Sequence, residues 1–260
     1  MTLAKVPRHH LLTITFATLL LAVGGCRATE AHMAKKPQTA KTLWVVKQRK
    51  LWGDYGDVLI SGYARREIED GSISLHRTGP FLPPISFPYV TNQGGRAVVV
   101  SADFKQELEG LNLPGVTFRE AAKTRIIPLA WEQWDRSVGL PWDSAARVRG
   151  VRPDGGEPEN YVWEKSHDEA CATKMTTPFE LVPAVGPVDV DQVQDPDGSF
   201  LDEFDAAAIP ADIPPIFRSH PKYGQVIVDD EMKRWLERHA GEWVRFLPVR
   251  LVKATRSVAG

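Results

Sequence analysis

The chain has 260 residues, 43% of them hydrophobic and 25% charged, with a net charge of −1. That length and composition supply one or two domains with a sizeable core. The balanced charge argues against a nucleic-acid partner, because neutralising phosphates takes a basic face. Twenty prolines and twenty glycines predict a loop-rich structure of many short elements.

The N-terminus has the order of a targeting segment. Lys5 and Arg8 precede an apolar run at residues 11–23, too short to span a bilayer as a helix. Val23-Gly24-Gly25-Cys26 follows and resembles the lipobox of bacterial lipoproteins. The resemblance implies that residues 1–25 are a signal peptide and that Cys26 is lipidated. The mature chain is then held on a membrane by its lipid anchor. Arg27 is not the aspartate that retains enteric lipoproteins at the inner membrane, so the outer membrane is expected. A translation start at Met33 would instead give a cytoplasmic protein. Removing residues 1–25, which carry Lys5 and Arg8 and no acid, takes the net charge from −1 to −3. With Cys26 acylated, Cys171 stands alone and no intrachain disulfide forms.

Residues 26–42 are polar and without periodicity, and read as a tether. A globular α+β domain is expected over 43–252. Leu43-Trp44-Val45-Val46 is a first strand, and Asp57-Val58-Leu59-Ile60 reads as another. Ile73-Ser74-Leu75 is a short strand before a proline-rich connection. Trp131, Trp134 and Trp142 fall in a segment that begins as a short helix, and packing is their expected role. Tyr161-Val162-Trp163 and Phe179-Glu180-Leu181-Val182 read as later strands.

One stretch occurs twice. Residues 97–120 read AVVVSADFKQELEGLNLPGVTFRE, and residues 225–248 read QVIVDDEMKRWLERHAGEWVRFLP. Without a gap they share Val98/Val226, Val100/Val228, Lys105/Lys233, Leu108/Leu236, Glu109/Glu237, Val116/Val244 and Phe118/Phe246. Pro83-Pro84-Ile85 and Pro214-Pro215-Ile216 lead in to them. Each copy predicts a β-branched strand, a helix capped by Ser101 or by Asp229 or Asp230, and a second strand. The apolar stripes are Phe104, Leu108 and Leu111 in one helix and Met232, Trp235, Leu236 and His239 in the other. Mixed sheets with two similar strand–helix–strand units, near 82–120 and 213–248, are therefore expected.

Between the copies lies the strongest local charge bias. Asp189, Asp191, Asp195, Asp197, Asp202, Glu203 and Asp205 occupy a proline-interrupted stretch that reads as an acidic loop. It is the candidate partner-binding surface, against the plainer reading of a solvated loop. Asp195-Pro196-Asp197-Gly198 does not make an EF-hand. Setting Gly198 at position 6 puts Val193 at position 1 and Phe204 at position 12. A looser calcium site stays open there.

Local catalytic signatures are missing. His167 and Cys171 have the spacing to share a helix face, but no family signature surrounds the cysteine. Metal spacings of the HExxH kind, phosphate-cradling glycine loops, GxSxG and CxxC do not occur. Neither a catalytic site, a metal nor a cofactor is expected.

The order Pro215-Ile216-Phe217-Arg218, Gln225-Val226-Ile227-Val228, a helix, then Trp243-Val244-Arg245-Phe246-Leu247-Pro248 resembles the C-terminus of bacterial immunity proteins. The similarity is to polymorphic-toxin immunity family eleven and to the related myxobacterial double-CxxCG immunity proteins. Val98-Val99-Val100-Ser101 and Gly115-Val116-Thr117-Phe118-Arg119 fit the same pattern. The CxxC pairs of the double-CxxCG group are absent. The resemblance implies a non-enzymatic protein that binds and neutralises a cognate toxin. The alternative from another class is an envelope-anchored hydrolase with dispersed catalytic groups, with His167 and nearby carboxylates in a polar pocket.

Overall fold

The structure, a computed structural model, describes residues 42–134, 162–186, 190–194, 200–205, 212–219 and 225–252. In chain order the elements are β1 (Leu43–Gln48), α1 (Gly53–Ser61), β2 (Tyr63–Arg66), β3 (Ile73–Gly79), β4 (Ile85–Ser86) and β5 (Tyr89–Val90). Then come β6 (Val99–Ser101), α2 (Ala102–Gly110), β7 (Val116–Glu120), β8 (Ala122–Pro128), α3 (Glu169–Lys174) and β9 (Pro178–Pro183). The remainder is β10 (Val190–Gln194), β11 (Phe200–Asp205), β12 (Ile216–Arg218), β13 (Val226–Asp229), α4 (Asp230–Ala240), β14 (Val244–Pro248) and β15 (Arg250–Val252). The fold is α+β with mixed sheets.

Two four-stranded sheets are built on one plan. One has the order β4-β6-β9-β7 and the other β12-β13-β1-β14. Each strand–helix–strand unit leaves a gap between its two strands, and a third strand fills it antiparallel to both. In the first unit the filler is β9, from later in the chain; in the second it is β1, from the start of the domain. The registers coincide residue for residue. Val116 faces Pro183 and Phe118 faces Leu181; Val244 faces Gln48 and Phe246 faces Val46. The lead-in strands match as well, with Ile85 opposite Val100 and Ile216 opposite Val228.

Local chemistry repeats with the geometry. Ser101 Oγ accepts from the Phe104 amide and Asp229 Oδ1 from the Met232 amide, so each helix begins on a side-chain cap. The Lys105 ammonium sits 5.5 Å over the Phe118 ring and 5.0 Å over Phe179, and pairs with Glu109 one turn on. Lys233 does the same with Phe246, Trp44 and Glu237. Phe104 and Leu108 in α2, and Met232 and Leu236 in α4, are buried at equivalent places.

Period-two alternation decides which face each residue serves. Val98, Val100, Val226 and Val228 join both helices in one shared core with Trp52, Trp131 and Trp243. Val99 faces the other way, into a second core with Ala64, Ile73 and Leu75 of the sheet ordered β5-β2-β3-β8. Ile227 faces a third, with Leu43, Val45 and Phe217.

Several sequence expectations are corrected. Asp57-Val58-Leu59-Ile60 lies in helix α1, not a strand. Trp52, Leu59 and Ile60 share the main core, and that spacing fits a helical turn better than alternation. Gly62, at φ 68°, ends α1; a Cβ there would clash with the His76 carbonyl oxygen. Val162 and Trp163 are helical rather than extended. Helix α2 ends at Gly110, so Leu111 falls off the stripe and is exposed. His239 is also exposed. Its ring stacks on Trp235, and its Nδ1 lies 2.7 Å from Glu107 Oε2 of α2.

Candidate functional site

The acidic stretch is in part a β-ribbon rather than a loop. β10 and β11 pair antiparallel, and β15 joins β11 in parallel to complete a three-stranded sheet. Val190, Val193, Leu201 and Phe204 supply the strand-forming residues among the acids. Asp191, Asp202, Glu203 and Asp205 are therefore strand positions. The register sets Asp191 opposite Glu203, and Glu203 opposite Arg250 on its other side. Asp189, Asp195 and Asp197 lie outside the described residues, as do Cys26, the signal segment and the Asp195–Gly198 cation candidate.

His167 and Cys171 do not share a helix face. Asp168 caps α3 by accepting from the Cys171 amide, which leaves His167 before the helix. The His167 ring is fixed at both nitrogens: Nδ1 accepts from the Ile126 amide, and Nε2 lies 3.1 Å from Glu169 Oε2. Cys171 is buried, and burial raises its pKa, with Asp168 adding to the rise. That is the wrong direction for a thiolate nucleophile. Among the described residues no group of three or more His, Cys, Asp or Glu is placed to hold a metal.

Among the described residues, four charged side chains meet in a cluster that sequence reasoning missed. Glu180 sits in β9 between Phe179 and Leu181, which face the helix side, so strand alternation turns its carboxylate into the opposite layer. It is fully buried. Arg66 of β2 grips it with both ends of its fork, Nη2 at 2.5 Å from Oε1 and Nη1 at 3.1 Å from Oε2. Arg119 Nη2 of β7 is 3.3 Å from Oε2, and Arg218 Nη2 of β12 is 3.5 Å from Oε1. Arg119 is the register partner of Glu180, Arg66 reaches across from the facing sheet, and Arg218 comes from the second repeat unit. One carboxylate thus ties three sheets together.

Each arginine is braced. Arg66 Nη1 donates to the Gly71 carbonyl, Arg119 Nη1 to the Asp70 carbonyl and Arg218 Nη2 to the Leu181 carbonyl. Gly71, at φ 69°, brings the hairpin close; a Cβ there would lie 2.8 Å from Arg119 Nη1. Burial lowers the pKa of Arg218, and the neighbouring Arg66 and Arg119 charges push the same way while Glu180 opposes. The hydrogen bonds from Ser72, with Arg119 nearby, hold exposed Asp70 below the usual carboxylate range.

A second buried arginine has no carboxylate partner among the described residues. Arg77 in β3 donates to the carbonyls of Ile60, Phe81 and Thr78 and lies 3.5 Å from Ser86 Oγ. Burial lowers its pKa to about 9. It stays charged at neutral pH and pins α1, the following loop and β4 to one strand.

A sequence signal for the Glu180 cluster existed. Arg119 aligns with Leu247 in the repeat, and the matched registers align Glu180 with Val45. The two units differ in charge at a place where they agree in geometry. The chain matches no protein-family model and no curated protein.

Proposed function

We propose that the chain is a non-enzymatic binding protein of the toxin-immunity type, which neutralises a cognate basic toxin by direct contact. The observation that carries the proposal is the register of the acidic ribbon. Antiparallel pairing places Asp191 opposite Glu203, and like charges opposite each other on neighbouring strands repel. Seven acids fall between residues 189 and 205 with no basic residue among them. Arg250 of β15 is the register partner of Glu203 on its other side. A cationic partner lowers the repulsion among the acids on binding and is steered to them over distance.

The lipobox-like Val23-Gly24-Gly25-Cys26 supports outer-membrane anchoring of this binder through Cys26. No helix among the described residues is long and apolar enough to cross a membrane. The test is capture of the partner by tagged chain from its native cell, followed by co-expression of both proteins in a naive host. A basic protein that is toxic alone and harmless with this chain supports the reading. A captured partner that is harmless alone overturns it.

A further inference from the structure

The arginines around Glu180 carry more positive charge than that carboxylate neutralises. Three guanidinium groups meet one buried glutamate, and two positive charges remain uncompensated. Asp70 stands at the exposed rim and supplies at most one more negative charge. The Nε atoms of Arg119 and Arg218 are both buried and have no hydrogen-bond partner. An arginine side edge with a free Nε–H is built to donate to an oxyanion. The cluster also has a solvent side: Arg66 and Arg218 are 14% and 10% exposed, but Arg119 is 37% exposed.

The fold does not require these charges. In the second unit the register pair equivalent to Arg119–Glu180 is Leu247–Val45, with Val45 in the third core and Leu247 packed against it. The equivalent sheet therefore forms with leucine and valine at those two positions. Buried ion pairs often stabilise no better than well-packed apolar residues of similar size. Keeping four charged side chains here, with an excess of one to two positive charges and two unused donors, points to a ligand rather than to stability.

We propose that Arg119 and Arg218, held in place by Glu180 and Arg66, form a binding site for a dianionic oxyanion of the phosphoryl class. A phosphate monoester carries close to two negative charges and three strong acceptor oxygens near neutral pH. It matches both the excess charge and the free donors. Glu180 aligns the guanidinium planes before the ligand arrives, and the ligand reaches them past Arg119 beside the 67–72 hairpin. The site shares no residue with the acidic ribbon and does not depend on the toxin-binding reading.

The experiment titrates the full chain with inorganic phosphate, by calorimetry and by thermal unfolding, against sodium chloride at matched ionic strength. The expected result is saturable heat and a midpoint about 4 °C or more higher at saturation. Arg119→Gln should weaken phosphate binding at least tenfold in a chain that still unfolds cooperatively, and Arg119→Lys should restore part of it. Succinate, a dicarboxylate, serves as the competing chemistry. Phosphate effects no larger than those of chloride would overturn the proposal. So would equal phosphate affinity in Arg119→Gln, or binding of succinate without phosphate.

Discussion

Glu180→Gln isolates the role of one charge, because the side chain keeps its shape and loses only its anion. The structure fixes the magnitude. Glu180 is fully buried, and Arg66 holds it through two hydrogen bonds of 2.5 and 3.1 Å. Two further guanidiniums lie within 3.5 Å. Glutamine offers one acceptor oxygen and turns an amide donor toward groups that are themselves donors. The three arginines then repel one another in a layer where water screens them poorly. Breaking one side of a buried pair costs about 3–5 kcal/mol. For a domain of this size that lowers the thermal midpoint by roughly 6–20 °C. Urea unfolding followed by tryptophan fluorescence reads the same loss. The exposed pair Lys105–Glu109 is the control, and Glu109→Gln should cost only about 0.3–0.5 kcal/mol. A loss below about 1 kcal/mol for Glu180→Gln would mean that the carboxylate is not the hub of the cluster, and the reasoning fails.

Other expectations follow from the same geometry. Leu108→Ala and Leu236→Ala occupy equivalent buried positions, so each should destabilise by about 2–5 kcal/mol in chemical denaturation, and by similar amounts. Arg77→Met leaves the carbonyls of Ile60, Phe81 and Thr78 without their donor and should lower the denaturation midpoint more than any exposed arginine substitution. His76 has its pKa lowered by burial first and by Arg125 and Arg65 second. The unfolded chain then binds the proton more tightly, so stability should be full above about pH 6.5 and fall as the pH drops below it. His76→Gln should flatten that slope in a series of melts.

The repeat was legible because core positions repeat. Val98, Val100, Leu108, Val116 and Phe118 recur at one spacing, and burial constrains each of them. The strand that fills each gap was not legible as a filler. β1 opens the domain and β9 lies between the two repeat units, and their pairing with the repeat strands is set by tertiary register rather than by local pattern. Helix α1 was misread because Val58-Leu59-Ile60 favours a strand locally, while packing against Trp52 settles it as a helix. The acidic residues were found but read as a loop, since prolines and aspartates hid the cross-strand partners Val190–Phe204 and Val193–Leu201. The Glu180 cluster was invisible one residue at a time. Arg66, Arg119, Glu180 and Arg218 are scattered over 153 positions of the chain, and only the sheet packing brings them together. Comparing the repeats at Arg119 and Leu247 was the one sequence route to it.

The central claim is that the acidic ribbon binds a basic partner by charge. The direct measurement is the association rate of the captured partner with the chain and with a variant carrying Asp191→Asn, Asp202→Asn, Glu203→Gln and Asp205→Asn, at low and moderate salt. The account predicts a slower association for the variant, a gap that narrows as salt rises, and a smaller change in dissociation. An association rate equal to that of the unaltered chain at low salt would contradict it.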